Sequence, residues 1–336
     1  MRLIVTGGAG YVGSHACLAL LEAGHEIAVV DNLCNSKEES LRRVQELAGR
    51  QLAFYRADLL DRDALREVFR RFPCEAVLHF AGLKAVGESV AMPLRYIRNN
   101  VGGTLELCEV MQECGVRRMV FSSSATVYGD PSRVPIAEDA PLSAANPYGR
   151  SKLTIEGLLA DLHRADPRWS IAVLRYFNPV GAHPSGRLGE DPAGIPNNLV
   201  PYIARVAAGR LPKLFVYGGD YPTPDGTGVR DYIHVVDLAL GHLRALDKLA
   251  EGPGFFVYNL GTGRGHSVLE VVRAFAAAAG REIPYEIVGR RPGDVAACYA
   301  DPGKARRELG WAAERGLAEM CADAWRWQVM NPGGYE

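Results

Sequence analysis

The stretch RLIVTGGAGYVG at residues 2–13 sets an apolar run, Leu3 to Val5, directly against a glycine-rich turn, with an amphipathic segment from Tyr11 to Ala23 behind it. Strand, turn and helix in that order commit the start of the chain to a βα unit of a parallel sheet. In TGGAGYVG, Gly7, Gly10 and Gly13 permit a tight turn, a close approach of backbone to a pyrophosphate, and close packing of helix on strand. The helix N-terminus then faces the phosphates. The spacing is G-x-x-G-x-x-G and departs from the G-x-G-x-x-G of standard dinucleotide turns; its position straight after an N-terminal strand gives it weight.

Short apolar runs alternate with helical patterns along the next part of the chain. Ile27 to Val30, Phe54 to Ala57, Ala76 to Phe80, Met119 to Ser122 and Ile171 to Tyr176 read as buried parallel strands. This rhythm predicts a Rossmann-type α/β fold, a doubly wound parallel sheet with helices on both faces, since the right-handed crossover rule leaves few other topologies. After Asn178 the texture changes to Pro- and Gly-rich stretches, NPVGAHPSGRLGEDPAGIPNN and GGDYPTPDGTGVRDY, which suit a binding lobe better than a sheet. Near His234 the rhythm resumes through Val235 to Leu249 and Phe256 to Leu260. The expected division is a dinucleotide-binding domain of residues 1–177 plus 234–262 and a smaller, interleaved C-terminal substrate-binding lobe of residues 178–233 plus 263–336. Trp325 and Trp327 read as packing residues.

Several classes of function are disfavoured. With 38 Lys and Arg against 39 Asp and Glu, the chain has no global field to attract nucleic acid or an anionic membrane, so any anion site must be local. No apolar stretch approaches the ~20 residues of a membrane helix, and Met1-Arg2 leads into a strand with no signal-peptide pattern, so the cytosol is the expected compartment. Seven scattered cysteines (Cys17, Cys34, Cys74, Cys108, Cys114, Cys298, Cys321) lack C-x-x-C spacing and read as reduced thiols. The histidines also miss metal-ligand spacing: His163, His234 and His242 are expected to cap, pack or face solvent, and no bound metal is expected.

Asp31 ends the second strand, where a carboxylate can hydrogen-bond the adenosine ribose hydroxyls. It favours NAD over NADP, because a 2′-phosphate would meet like charge and the nearest basic residue, Lys37, lies several positions on. Asp58, just after the third strand, is a weaker candidate for the adenine. Tyr148 and Lys152 stand in Y-x-x-x-K spacing, one helical turn apart on one face, so the ammonium can favour phenolate. Lowering a tyrosine pKa by roughly three units needs on the order of 4 kcal/mol of differential stabilisation, which Lys152 and a nicotinamide cation could supply together. Ser122, Ser123 and Ser124 end the fifth strand at the carboxyl edge of the sheet, and alternation puts Ser122 and Ser124 on one face and Ser123 on the other.

The segments TGGAGYVGSH, DNLCNS, HFAGLKAVGES, SSSATVYGD, PYGRSK, RYFNPVGAHPSG, IPNNLVPYI and GTGVRDYIHV together resemble the UDP-glucose 4-epimerases, a family of extended short-chain dehydrogenases/reductases, nearly end to end. That resemblance implies Ser124, Tyr148 and Lys152 as the catalytic set, with Phe177 near the nicotinamide. It also implies an NAD site lined by Tyr11, Val12, Asp31, Asn32, Asn35, Ser36, Asp58, Leu59, the run Phe80, Ala81, Gly82, Leu83 and Lys84, and Asn99. For the nucleotide sugar the matching positions are Asn178, Asn198, Leu199, Phe215 to Tyr217, Arg230, Arg291 and Asp294, the two arginines offering forked donors for a pyrophosphate. A homodimer is implied by resemblance alone.

The implied reaction interconverts UDP-galactose and UDP-glucose through a 4-keto sugar, with transient reduction of tightly bound NAD+ and Tyr148 as the base. A 4,6-dehydratase is the nearest alternative. It needs acidic residues where relatives resemble T-D-E before V-Y-G, whereas this chain has Ser124-Ala125-Thr126 before Val127-Tyr128-Gly129. A catalytically idle NAD(H)-binding sensor is a second alternative, which retention of the catalytic set opposes. By the same resemblance Cys298, in RRPGDVAACYAD, lines the hexose pocket, where a small residue leaves room for a 2-N-acetyl group and activity on UDP-GlcNAc and UDP-GalNAc is expected.

Overall fold

The computed structural model describes residues 1–192, 194–291 and 293–336. The first half runs β1 (Arg2–Thr6), α1 (Tyr11–Glu22), β2 (Glu26–Asp31), α2 (Glu39–Ala48), β3 (Ala53–Arg56), α3 (Arg62–Arg71) and β4 (Ala76–His79). It continues through α4 (Val86–Ala91), α5 (Pro93–Tyr96), a π-helical turn (Ile97–Gly102), α6 (Gly103–Glu113), β5 (Arg118–Ser124), a 3₁₀ turn (Ala125–Tyr128), α7 (Pro147–Ala165) and β6 (Ser170–Tyr176). The second half holds β7 (Asn178–Val180), α8 (Leu199–Ala207), β8 (Leu214–Tyr217), β9 (Val229–His234), α9 (Val235–Glu251) and β10 (Gly254–Leu260). It ends with β11 (Gly265–Ser267), α10 (Val268–Ala279), β12 (Tyr285–Val288), β13 (Ala297–Cys298), α11 (Gly303–Leu309) and α12 (Leu317–Met330).

Seven parallel strands form the main sheet in the order β10-β6-β5-β4-β1-β2-β3, which is the doubly wound arrangement expected from the alternating pattern. The order reverses between β1 and β4, and their carboxyl ends therefore open the crevice in which such sheets bind ligands. Both faces of the central strands are buried. Leu3, Val5, Val29 and Leu78 pack on one side with α1 and α9, whereas Ile4, Val30, Val77 and Phe121 pack on the other with α3 and α6. That double burial is why these strands read as continuous apolar runs.

The region after Asn178 is more ordered than its loop-like composition suggests. It contains α8 and two small sheets, β11-β9-β13 with β7 paired to β9, and β12-β8. The alternating burial of Leu214 to Tyr217 and the helical apolar spacing in LVPYIARVA lie between Pro- and Gly-rich turns that mask them. Their core is separate, built on Ile203, Val216, Val271 and Phe275. Trp327 packs on Tyr335 and Trp325 on Phe275, as packing residues do. His234 caps α9 by accepting from Val236 N, and His242 is buried.

Candidate active site

Close packing fixes the glycine turn. Gly7 has a φ of 71°, and a Cβ there would lie 2.5 Å from the Ala81 nitrogen, so the turn touches the chain leaving β4. A Cβ on Gly13 would lie 2.2 Å from the Gly7 carbonyl oxygen, which only glycine tolerates. Gly10 is different. The one protein atom near its hypothetical Cβ is the Gly7 oxygen at 3.3 Å, and no side chain caps the α1 N-terminus that begins beside it. An uncapped helix start with open backbone in front of it fits a pyrophosphate.

Asp31 is buried at the end of β2 and ties this turn to the next loop. One carboxylate oxygen accepts from Ala9 N at 3.0 Å, while the other accepts from Leu33 N and Ser36 Oγ, both at 2.9 Å. Three neutral donors leave the charge uncompensated, which suits ribose hydroxyls and repels a 2′-phosphate. Lys37 is engaged elsewhere, with the Tyr335 carbonyl at 2.8 Å and Asp191 at 3.0 Å. Asn32 donates to Asp58 at 2.8 Å, closing the second wall of the groove.

The catalytic groups converge from β5 and α7. Asn146 caps α7 through Gly149 N, and Pro147 is its first residue, so the helix starts one residue before it presents Tyr148. Desolvation holds the Tyr148 phenol above its ordinary range, and the neighbouring Ser124 hydroxyl opposes that rise. Ser124 Oγ itself accepts from Thr126 N and Thr126 Oγ1, at 3.2 and 2.9 Å. Lys152 is buried and donates to the Ser122 carbonyl at 2.7 Å; burial pulls its ammonium down to about 8, with Glu156 opposing. The alternation expected at this strand end holds, because Ser122 and Ser124 are partly open and Ser123 is buried. A phenol held above its ordinary range keeps its proton at neutral pH, so Tyr148 can accept one only when positive charge beside it favours the phenolate.

Across the crevice lie the residues expected to hold a sugar nucleotide. Arg291 pairs with Asp294 at 3.0 Å and lies 5.6 Å over the Tyr217 ring, and Arg230 reaches the same carboxylate at 3.9 Å. Phe215 and Tyr217 are exposed on β8. Cys298 stands opposite Arg230 in the β13–β9 register and packs against the small cluster of Ala125, Val127 and Phe177, so its wall is continuous with the catalytic end of β5.

The family model described as the NAD dependent epimerase/dehydratase family matches residues 3–261. A UDP-glucose 4-epimerase of Bacillus subtilis is 63% identical over 336 residues, covering 100% of this chain and 99% of that protein. The solved UDP-glucose 4-epimerase of Bifidobacterium longum, in complex with NAD+ and UDP, is 54% identical with a TM-score of 0.97, covering 99% of this chain and 100% of the other. That of Stenotrophomonas maltophila, with NAD and formylated UDP-arabinopyranose, is 51% identical with a TM-score of 0.97 and 99% coverage of both.

The chain belongs to the NAD-dependent epimerases, on their UDP-glucose 4-epimerase branch. It is an NAD-dependent isomerase by that membership, and the residues that fit the cofactor are those around the glycine turn, Asp31 and the loop after β4.

Three further residues around this site, Asn100, Glu190 and Asp231, escaped the sequence reading. Asn100, in the π-helical turn, accepts from Leu83 N at 2.8 Å and donates to the Leu83 carbonyl and Ser151 Oγ, pinning the loop after β4 to α7. Two adjacent asparagines inside a helical stretch, Asn99 and Asn100, were the available signal, since asparagine disfavours helix interiors. Glu190 receives Lys84 at 2.9 Å and Asn198 at 3.0 Å on one oxygen, joining a residue of each half of the site. Asp231, fully buried, accepts from Thr262, Gly263 and Ala300 backbone nitrogens and so holds the walls on either side of Arg230. Among the described residues no side-chain hydrogen bond holds Asn35 or Asn178, and both are exposed.

Proposed function

We propose that this epimerase interconverts UDP-galactose and UDP-glucose with Ser124, Tyr148 and Lys152 as its catalytic groups. The observation that carries the reading is their convergence at the carboxyl end of β5, beside a glycine cradle that fits NAD and opposite arginines that fit a pyrophosphate. The glycine turn, Asp31 and the loop after β4 would hold NAD+, which would supply a hydride acceptor and donor for the sugar C4. Ser124 Oγ hydrogen-bonds the sugar 4-oxygen and orients it toward Tyr148. The Tyr148 phenolate takes the 4-hydroxyl proton as the C4–H bond breaks, giving a 4-keto sugar, and Lys152 stabilises that phenolate by its positive charge. Arg230 and Arg291 hold the pyrophosphate by exchanging Asp294 for phosphate oxygens, so the hexose is tethered through its nucleotide and can turn its other face. Tyr148 then returns the proton to the 4-oxygen, and the configuration at C4 is inverted.

The finer features follow the same reading. Residues 1–177 with 234–262 act as the cofactor lobe and residues 178–233 with 263–336 as the substrate lobe, which the place of β10 in the main sheet supports. A homodimer is supported by exposed apolar side chains gathered between residues 86 and 105: Val86, Val90, Met92, Leu94 at 83% exposure, Ile97 and Leu105. No helix among the described residues is long and apolar enough to cross a membrane, and the seven free cysteines suit a reducing compartment such as the cytosol. Cys298 leaves room for a 2-N-acetyl group, so UDP-GlcNAc and UDP-GalNAc are interconverted as well, and Cys298→Tyr suppresses that pair while sparing UDP-galactose.

The test is incubation of the purified protein with UDP-galactose and no added cofactor, with the product identified by NMR. UDP-glucose is expected. A 4-keto-6-deoxy product, or none, overturns the reading, and negligible wild-type activity on UDP-GlcNAc overturns the Cys298 assignment.

A further inference from the structure

Helix α7 carries a third member of the column that begins with Tyr148 and Lys152. Glu156 follows Lys152 by one more turn on the same face and is buried at 6% exposure. Its carboxylate accepts from Ser123 Oγ at 2.5 Å and from Arg175 through Nε at 3.1 Å and Nη2 at 2.7 Å. Ser123 lies between Ser122, whose carbonyl receives the Lys152 ammonium, and Ser124. Arg175, on β6, is 4% exposed and sends its remaining nitrogen to the Tyr128 hydroxyl at 2.9 Å and the Glu138 carbonyl at 3.0 Å. Two cations, Lys152 and Arg175, and one anion, Glu156, are thus buried on adjoining elements, where net charge is costly.

We propose that Glu156 is a positioning residue for the epimerisation: it anchors the catalytic end of β5 through Ser123 and balances Arg175, so that Lys152 remains an ammonium behind Tyr148. This rests on the functional reading above. Glu156 supplies the negative charge that favours the Lys152 ammonium against burial. The other groups packed around Lys152 do not. His79, from β4, is neutral, its imidazole pulled down to about 3 by burial; Tyr176, from β6, is held protonated by burial; Asn100 from the π-helical turn and the Phe121 ring, 4.8 Å from the ammonium, carry no charge. Around Glu156 itself, burial pushes the Tyr128 phenol up to about 12 and raises the Glu138 carboxyl, which accepts from Asn259 N.

Removing either partner of the buried pair moves Lys152 in opposite directions. Glu156→Gln leaves Arg175 uncompensated, lowers the proton affinity of Lys152, and draws the alkaline limb of kcat to lower pH by about one pH unit. Arg175→Met leaves Glu156 uncompensated and moves that limb upward. The double variant Glu156→Gln/Arg175→Met lies between them and retains the fold, since a buried pair replaced as a whole is tolerated better than a broken one. Glu156→Asp restores the wild-type profile.

The experiment is the pH dependence of kcat on UDP-galactose for the NAD-loaded wild type and these variants. Opposite displacements in the two single variants are expected; if one of them fails to fold, the displacement of the other against the double variant carries the same sign. A uniform loss of kcat with the limb unmoved, or displacement of both variants in one direction, overturns the positioning role. An inactive wild type overturns the functional reading instead.

Discussion

The two halves of this site are built on different physical terms. On the cofactor side, Gly7 and Gly13 meet neighbouring backbone at distances no side chain could share, and Asp31 is buried with its hydrogen bonds supplied by the glycine turn and the loop after β2. On the substrate side, Arg291 is 56% exposed and pairs with Asp294, while Tyr217 and Phe215 face solvent. Exposed ion pairs contribute little to stability and exchange readily for a ligand's phosphates. The contrast matches the reaction: a cofactor regenerated in each cycle has no reason to leave, whereas the nucleotide sugar must enter, turn and depart.

The largest expected effect lies where the halves meet. Tyr148→Phe keeps the fold and NAD but lowers kcat by roughly a hundred- to ten-thousand-fold, because the ring stays and the proton acceptor goes. Lys152→Met acts alike. Turnover of UDP-galactose within a few-fold of wild type would remove the base assignment and with it the seam.

Next in size is Gly13→Ala, which forces a methyl within 2.2 Å of the Gly7 oxygen. It costs about 1–3 kcal/mol in overpacking and opens the cradle. The purified variant loses NAD, read by absorbance after denaturation, together with a lowered Tm. Full NAD occupancy would break the claim that backbone packing holds the cofactor.

Arg291→Ala sharpens the other side of the comparison. It leaves NAD content and kcat near wild type and raises KM for UDP-galactose by about tenfold, the value of one charge-assisted contact. A loss confined to kcat would mean that Arg291 acts on the transition state and not as a tether.

The smallest effect is on acid stability. Burial pulls His15 and His79 down to about 3 and His242 down to about 4, and all three sit in elements of the cofactor side. A folded-state value below the unfolded value of about 6.5 means that the unfolded chain binds more protons, so stability present above pH 6.5 is lost as pH falls toward 4. Each histidine contributes a slope of at most about 1.4 kcal/mol per pH unit. His242→Phe flattens the decline of Tm between pH 6.5 and 4.5; an unchanged slope would exclude His242 as a source.

The cofactor side was legible in the sequence because its determinants are local. A strand, a glycine turn and a helix within a dozen residues, Asp31 at the next strand end and the i, i+4 spacing of Tyr148 and Lys152 each carry a periodicity or a turn requirement that a single segment reveals. The π-helical turn and its Asn100, by contrast, become meaningful only when Leu83 and Ser151 are brought beside them. Glu190 and Asp231 are long-range as well: each is an ordinary acidic residue until loops distant in sequence converge on its carboxylate. The region after Asn178 hid its helix α8 and its small sheets for a related reason. Their elements are short, they lie between Pro- and Gly-rich turns, and their core forms only by contact with α10 and α12.

The central claim is that one hydride leaves the sugar C4 and returns to it while the cofactor stays in place. The direct measurement uses UDP-galactose deuterated at C4, purified protein and no added NAD+, with the UDP-glucose formed examined by NMR and mass spectrometry. The account predicts turnover without supplement and full retention of deuterium at C4. Protium at C4, or turnover that appears only when NAD+ is supplied, would contradict it.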